Sequence, residues 1–138
     1  MTASPSMIEL LNIHPQCVTG ALWLFLALAI GHAVADFPLQ GVFLSETKNR
    51  NQKLSQDLNT KSPQGVWIHA MSAHSLIHCG AVWLITGSVL LGLVEFFLHW
   101  IIDFAKCENW AGFNTDQFLH YGCKIIYVAL IYYGVISI

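Results

Sequence analysis

His99 and Asp103 stand four residues apart, and Asp116 and His120 repeat the spacing in the opposite order. On a helix, residues four apart share a face, about 6 Å apart along the axis. Each pair offers one imidazole and one carboxylate, donors suited to a divalent metal ion. Two further pairs have the same spacing, His32 with Asp36 and His74 with His78. His69 precedes His74 by five residues, which turns it about 140° away on a helix. The chemistry such a set offers is activation of a metal-bound water.

The eight residues His32, Asp36, His74, His78, His99, Asp103, Asp116 and His120 form a nitrogen and oxygen donor set that requires no thiolate. It suits Zn, Mn, Fe or Ni without choosing between them. Eight donors exceed the needs of one tetrahedral zinc, so the expectation is one or two ions. The blander reading is a polar network in which each pair satisfies itself by a local hydrogen bond. Three converging carboxylates without a cation would repel one another, and a bound metal resolves that repulsion. The spacing matches neither the zincin helix nor the Glu-x-x-His of di-iron bundles.

Other groups border this set. Glu95, one turn before His99, either orients that imidazole or bonds within its own helix. Lys48 and Lys106 are candidates to steady an anionic substrate, and with Glu95 they make up the candidate catalytic groups. Arg50 shares that substrate-holding possibility with Lys48. Lys124 follows His120 by four residues and either pairs with a carboxylate or holds a phosphate. The cysteines Cys17, Cys79, Cys107 and Cys123 show no CxxC spacing and read as small core residues. Cys79 adjoins His78 and is the one thiol to weigh as a ligand.

The elements that must position these groups are long and apolar. The 138-residue chain is 55% hydrophobic and only 10% charged, against about 25% charged in ordinary soluble domains. Its mean hydropathy is +0.55. The expected fold is all-α, a single-domain integral membrane four-helix bundle over 1–138, with a His/Asp-lined interior near the cytoplasmic face. Spans are expected at about 17–37, 66–86, 89–105 and 116–137, with a polar loop over 40–65 that has room for one or two helical turns. Pro38 is expected to end the first span and Gly87-Ser88 to break the second from the third. Met7 to Ile13 reads as a short interfacial helix. Thr115 is a candidate N-cap for the last span, with Gly112 and Asn114 as breakers. Residues 1–16 hold no Lys or Arg, so no positively charged leader is expected.

Charge sets the orientation. Of six Lys plus Arg, Lys48, Arg50, Lys53 and Lys61 lie in the 40–65 stretch and Lys106 lies between the third and fourth spans. Positive residues favour the cytoplasm, so both connections are expected there and both termini outside a bacterial inner membrane. All four pairs then fall in the cytoplasmic half, where a bundle interior can bring them together. The net charge of −2 gives no basis for a nucleic-acid partner.

The run Gly-His-Ala-Val-Ala-Asp-Phe-Pro-Leu-Gln over 31–40, the His74/His78 pair, His99-x-x-x-Asp103-x-x-Lys106 and Asp116-Gln117-x-x-His120 resemble the blocks of the domain of unknown function 3307 family. These are small integral membrane proteins of bacteria and phages. The resemblance covers about 25 to 125 and places Lys48 where that family tends to carry a lysine. It implies that the paired residues and Lys106 act as one set. It implies no activity.

The functional expectation is a metal-dependent membrane hydrolase acting at the cytoplasmic face on a lipid or phosphate-containing substrate. The competing readings are an ion- or proton-conducting module or transporter, which at this size would need a homodimer, and a structural protein that binds partners. The absence of an evident inverted repeat weighs against the transporter.

Overall fold

The structure, a computed structural model, describes residues 7–11, 13–55 and 63–138. Lys61 and the rest of 56–62, with residues 1–6 and Asn12, lie outside the described residues. Among the described residues the fold is all-α. Helix α1 is Met7–Leu10, α2 Val18–Asp36, α3 Gly41–Thr47, α4 Val66–Thr86, α5 Val89–Cys107 and α6 Phe113–Tyr132. The four long helices close a ring, with α2 and α5 each packing against both α4 and α6. The short α1 and α3 lie against α4.

Local sequence explains the boundaries. Cys17 caps α2 by accepting the Gly20 amide at 3.3 Å. Pro38 follows two residues beyond the end of α2. Gly87 takes φ 73°, the left-handed conformation open to glycine, and Ser88 then caps α5 by accepting the Leu91 amide at 3.3 Å. This two-residue turn folds α4 and α5 into an antiparallel hairpin. Within the hairpin a Cβ on Gly92 would stand 3.0 Å from the Cys79 carbonyl oxygen, so glycine is what lets the two backbones approach.

Three boundaries differ from the sequence expectation. Helix α6 begins at Phe113 with Gly112 as its N-cap, so Thr115 is not the cap and Asn114 is inside the helix. The reversal is completed earlier, at Asn109 with φ 60°, which leaves the chain free to start α6 a turn sooner. At its other end α6 stops at Tyr132, because Gly134 turns left-handed at φ 70° and the Val135 amide bonds back to the Leu130 carbonyl at 2.8 Å. Helix α5 runs on to Cys107, past the expected 105, while the two turns of α3 fall within the 40–65 stretch as the loop reading allowed.

Each long helix buries one stripe that changes character along its length. On α2 it runs Leu24, Leu28, His32, Asp36, and on α6 Asp116, His120, Lys124, Tyr127, Ile131. Because neighbouring helices alternate in direction, the polar halves coincide at one end. The other end is closed by Leu24, Leu28, Val82, Ile85, Leu91, Tyr127 and Ile131. The outer surface is the reverse of a soluble protein's: Leu22, Trp23, Ile30, Leu84, Phe97 and Ile126 are exposed while histidines fill the inside. Two helices, α2 and α4, are long and apolar enough to cross a membrane. The other two carry Glu95, Asp103 and Lys106 on α5, and Asp116 and Lys124 on α6.

Candidate metal centre

The last two turns of α2 supply His32 and Asp36, the middle of α4 supplies His74 and His78, the last turns of α5 supply His99 and Asp103, and the first turns of α6 supply Asp116 and His120. All eight are buried. His69 is exposed, as its angular offset requires. Cys79 is only partly buried and belongs to none of the donor groups.

The donors converge. His74 Nε2 lies 3.3 Å from Asp36 Oδ1 and 3.4 Å from Asp103 Oδ2. His120 Nε2 lies 3.4 Å from Asp103 Oδ1 and 3.5 Å from Asp116 Oδ1. His78 Nε2 and His32 Nε2 stand 3.9 and 4.0 Å from Asp36 oxygens. The imidazoles crowd one another, with ring centroids of His78 and His99 at 3.5 Å and of His99 and His120 at 4.1 Å.

These groups are close without being bonded. Both nitrogens of His32, His74 and His99, Nε2 of His78 and His120, and one oxygen each of Asp103 and Asp116 are buried with no hydrogen-bond partner. Native interiors leave few such atoms, and each costs about 1–3 kcal/mol. The spacing is one that donors around a shared ion would have. Donors about 2.1 Å from a tetrahedral ion stand about 3.4 Å from one another, the separation seen at His74, Asp36, Asp103 and His120. The donor atoms fall into groups whose members all lie within 4.8 Å: Asp36, His74, His78 and His99; Asp103, Asp116 and His120; and His32, Glu95, His99 and His120. The residues therefore fit a metal on the chemistry of the donors and on their orphaned atoms.

Cations rim and underlie the donors. Lys48 bonds Asp103 Oδ2 at 2.5 Å and Gln40 Oε1 at 2.7 Å, and is itself buried. Lys106, 28% exposed at its side chain, bonds Asp116 Oδ2 at 2.8 Å. The structure thus places both lysines on carboxylates of the donor set. Deeper in the interior Glu95 accepts from Lys124 at 2.5 Å and from the Tyr127 hydroxyl at 2.9 Å, while His99 Nδ1 lies 3.4 Å from the same carboxylate. Lys124 accordingly lies away from the rim.

The sequence reading missed Gln117, Tyr127 and a surface clasp. Gln117 donates to Asp36 at 2.9 Å and to Asp116 at 3.2 Å, tying α2 to α6. Its neighbour Asp116 was the available signal. Arg50 makes two bonds to Glu108, at 2.8 and 2.9 Å, with its guanidinium 5.4 Å from the Trp67 ring and 5.2 Å from the Phe104 ring. Asn51 adds bonds to the Cys107 carbonyl and to Glu108. This clasp pins the chain after α3 to the end of α5 and so holds Lys48 over Asp103. The Arg50 hydrogen bond keeps the Glu108 carboxyl below its ordinary value and raises that of Arg50.

The family model described as "Protein of unknown function (DUF3307)" matches residues 24–137. The chain belongs to this family. The match takes in all eight donors, Glu95, both rim lysines and Gln117, in agreement with the resemblance in the sequence blocks. No curated protein and no solved structure matches the chain.

Proposed function

We propose that this DUF3307 chain is a membrane-spanning four-helix bundle, and a metal-dependent hydrolase whose centre opens at the cytoplasmic face toward a lipid or phosphate-containing substrate. The observation that carries the reading is the inverted distribution of polarity. Five imidazoles and four carboxylates fill an interior whose outside is leucine, isoleucine, phenylalanine and tryptophan. Lipid solvates such a surface, and ionisable groups inside a membrane bundle mark function.

A divalent ion would supply a water acidified toward neutrality and a Lewis acid for the scissile group. The chain's own groups do the rest. His and Asp donors from four helices would hold the ion, already positioned before reaction. Lys48 and Lys106, which bond Asp103 and Asp116 at the polar end, would hold an anionic group. In the hydrolysis the water oxygen bonds to the electrophilic centre, the bond to the leaving oxygen breaks, and a proton from the water ends on that leaving oxygen. The interior beyond Glu95 and Lys124 is aliphatic, with Leu24, Leu28, Val82, Leu91 and Ile131. That closure supports hydrolysis at one face over conduction through the bundle.

The test is metal content of the full chain purified in detergent without added chelator. Stoichiometric transition metal, lost in a folded His99→Ala variant, is the expected result. A folded protein that holds no transition metal when offered Zn²⁺, Mn²⁺, Fe²⁺ and Ni²⁺ in turn overturns the reading.

A further inference from the structure

We infer that the interior is a two-ion centre bridged by Asp103, and that its loaded form takes a phosphate group. This rests on the metal-dependent reading above and specifies it. Asp103 is fully buried, and its two oxygens face different donors. Oδ1 lies toward His120, which also faces Asp116. Oδ2 lies toward His74, which also faces Asp36, and toward His99 at 3.7 Å. Two of the donor groups share no residue: Asp36, His74, His78 and His99 form one, and Asp103, Asp116 and His120 the other. Asp103 belongs to the second group and its Oδ2 reaches His74 and His99 of the first, while a third group of His32, Glu95, His99 and His120 overlaps both. A carboxylate shared in this way is what bridges ions about 3.5–4 Å apart.

Charge then selects the ligand. Glu95 and Lys124 neutralise each other. Asp36, Asp103 and Asp116 against Lys48 and Lys106 leave one net negative charge. One divalent ion reverses this to one positive, and two ions raise it to three positive. A buried excess of that size requires an anion. The same loading engages the two carboxylates that Lys48 and Lys106 now hold, freeing both ammonium groups for that anion. A phosphate monoester, with up to two negative charges and oxygens for both ions and both lysines, balances the site better than a carboxylate with one.

The experiment is equilibrium dialysis of the full chain in detergent, stripped and then saturated with Zn²⁺ or, in parallel, Mn²⁺, with bound metal counted per chain. Two ions per chain with at least one of the metals is the expected result, falling to one in folded His120→Ala. Saturation at one ion with both metals overturns the two-ion centre but leaves the metal-dependent reading standing. No binding of either removes both. Calorimetry with inorganic phosphate should then show binding to the loaded protein, at least tenfold weaker in Lys48→Met and in the stripped protein. Equal binding by stripped and loaded protein, or none by either, overturns the phosphate assignment. Glycerol 3-phosphate and dihexanoyl phosphatidic acid separate the sources of the group. A tenfold preference for the phosphatidic acid assigns a lipid headgroup, and equal affinity assigns a soluble ester.

Discussion

Asp103 concentrates the electrostatics of the molecule. It sits among His74, His99 and His120 and against Lys48, with no exposure to solvent. Without metal, Lys48 is the only ammonium that bonds it among the described residues. Removing one member of a buried pair typically costs about 3–5 kcal/mol. Lys48→Met should therefore destabilise the metal-free protein by that order. It should cost much less once metal is bound, because the ion takes over the carboxylate. Unfolding in mixed micelles with and without Zn²⁺ measures both arms, and an equal loss in the two would contradict the argument. A parallel expectation joins Asp36 and Asp103, which stand 67 positions apart in the chain. Both face His74 Nε2, so Asp36→Asn and Asp103→Asn should each weaken metal binding by tenfold or more in the same titration. Glu95 and Lys124 behave as a unit of another kind. Either single change, Glu95→Gln or Lys124→Met, strands a buried charge, whereas the double variant should recover most of the lost stability.

At the scale of elements, what could be read from the chain was what the helix repeats. Pairs four residues apart announce a shared face wherever a helix forms, so all eight donors were legible before any packing was known. So were the turn at Gly87-Ser88 and the exposed His69. Contacts set by how helices meet were not legible. Lys48 reaches Asp103 across 55 positions, Gln117 reaches Asp36 across 81, and Arg50 finds Glu108 across 58. The start of α6 was misplaced because Thr115 has the better capping side chain, while the backbone of Asn109 decides where the turn closes. The clasp supplies an element-scale prediction. Glu108 has its carboxyl lowered from 4.5 by the Arg50 hydrogen bond, with Asn51 adding to it. A lowered folded-state value stabilises above the ordinary value, and that contribution disappears as pH falls through the lowered one. The clasp should therefore open below about pH 4.5, and Glu108→Gln should remove that part of the acid dependence. Protease cleavage in the 50–55 stretch as a function of pH reads this directly, and an unchanged profile in the variant would rule the clasp out.

For the whole molecule, the deciding quantity is which solvent meets the outside. A helix pair joined by Gly87-Ser88, a ring of four, and a surface of leucine and phenylalanine are consistent with lipid. They place the polar end, with Lys48 and Lys106, opposite Cys17 and the α4–α5 turn. On the proposed membrane-spanning reading, the cation distribution would turn that end toward the cytoplasm. This has a direct consequence for thiol chemistry, because Cys17 is exposed at one end and Gln52 is exposed at the other. In a chain whose Cys79, Cys107 and Cys123 are replaced by alanine, a membrane-impermeant maleimide should label Cys17 in intact spheroplasts. A Gln52→Cys substitution, made in the same background with Cys17 also replaced by alanine, should be labelled only after lysis. The opposite pattern would invert the orientation and set the centre at the outer face. Labelling of both in intact spheroplasts would mean that the helices do not separate two compartments, and the bundle would then have to shield its apolar surface by association with other chains instead of lipid.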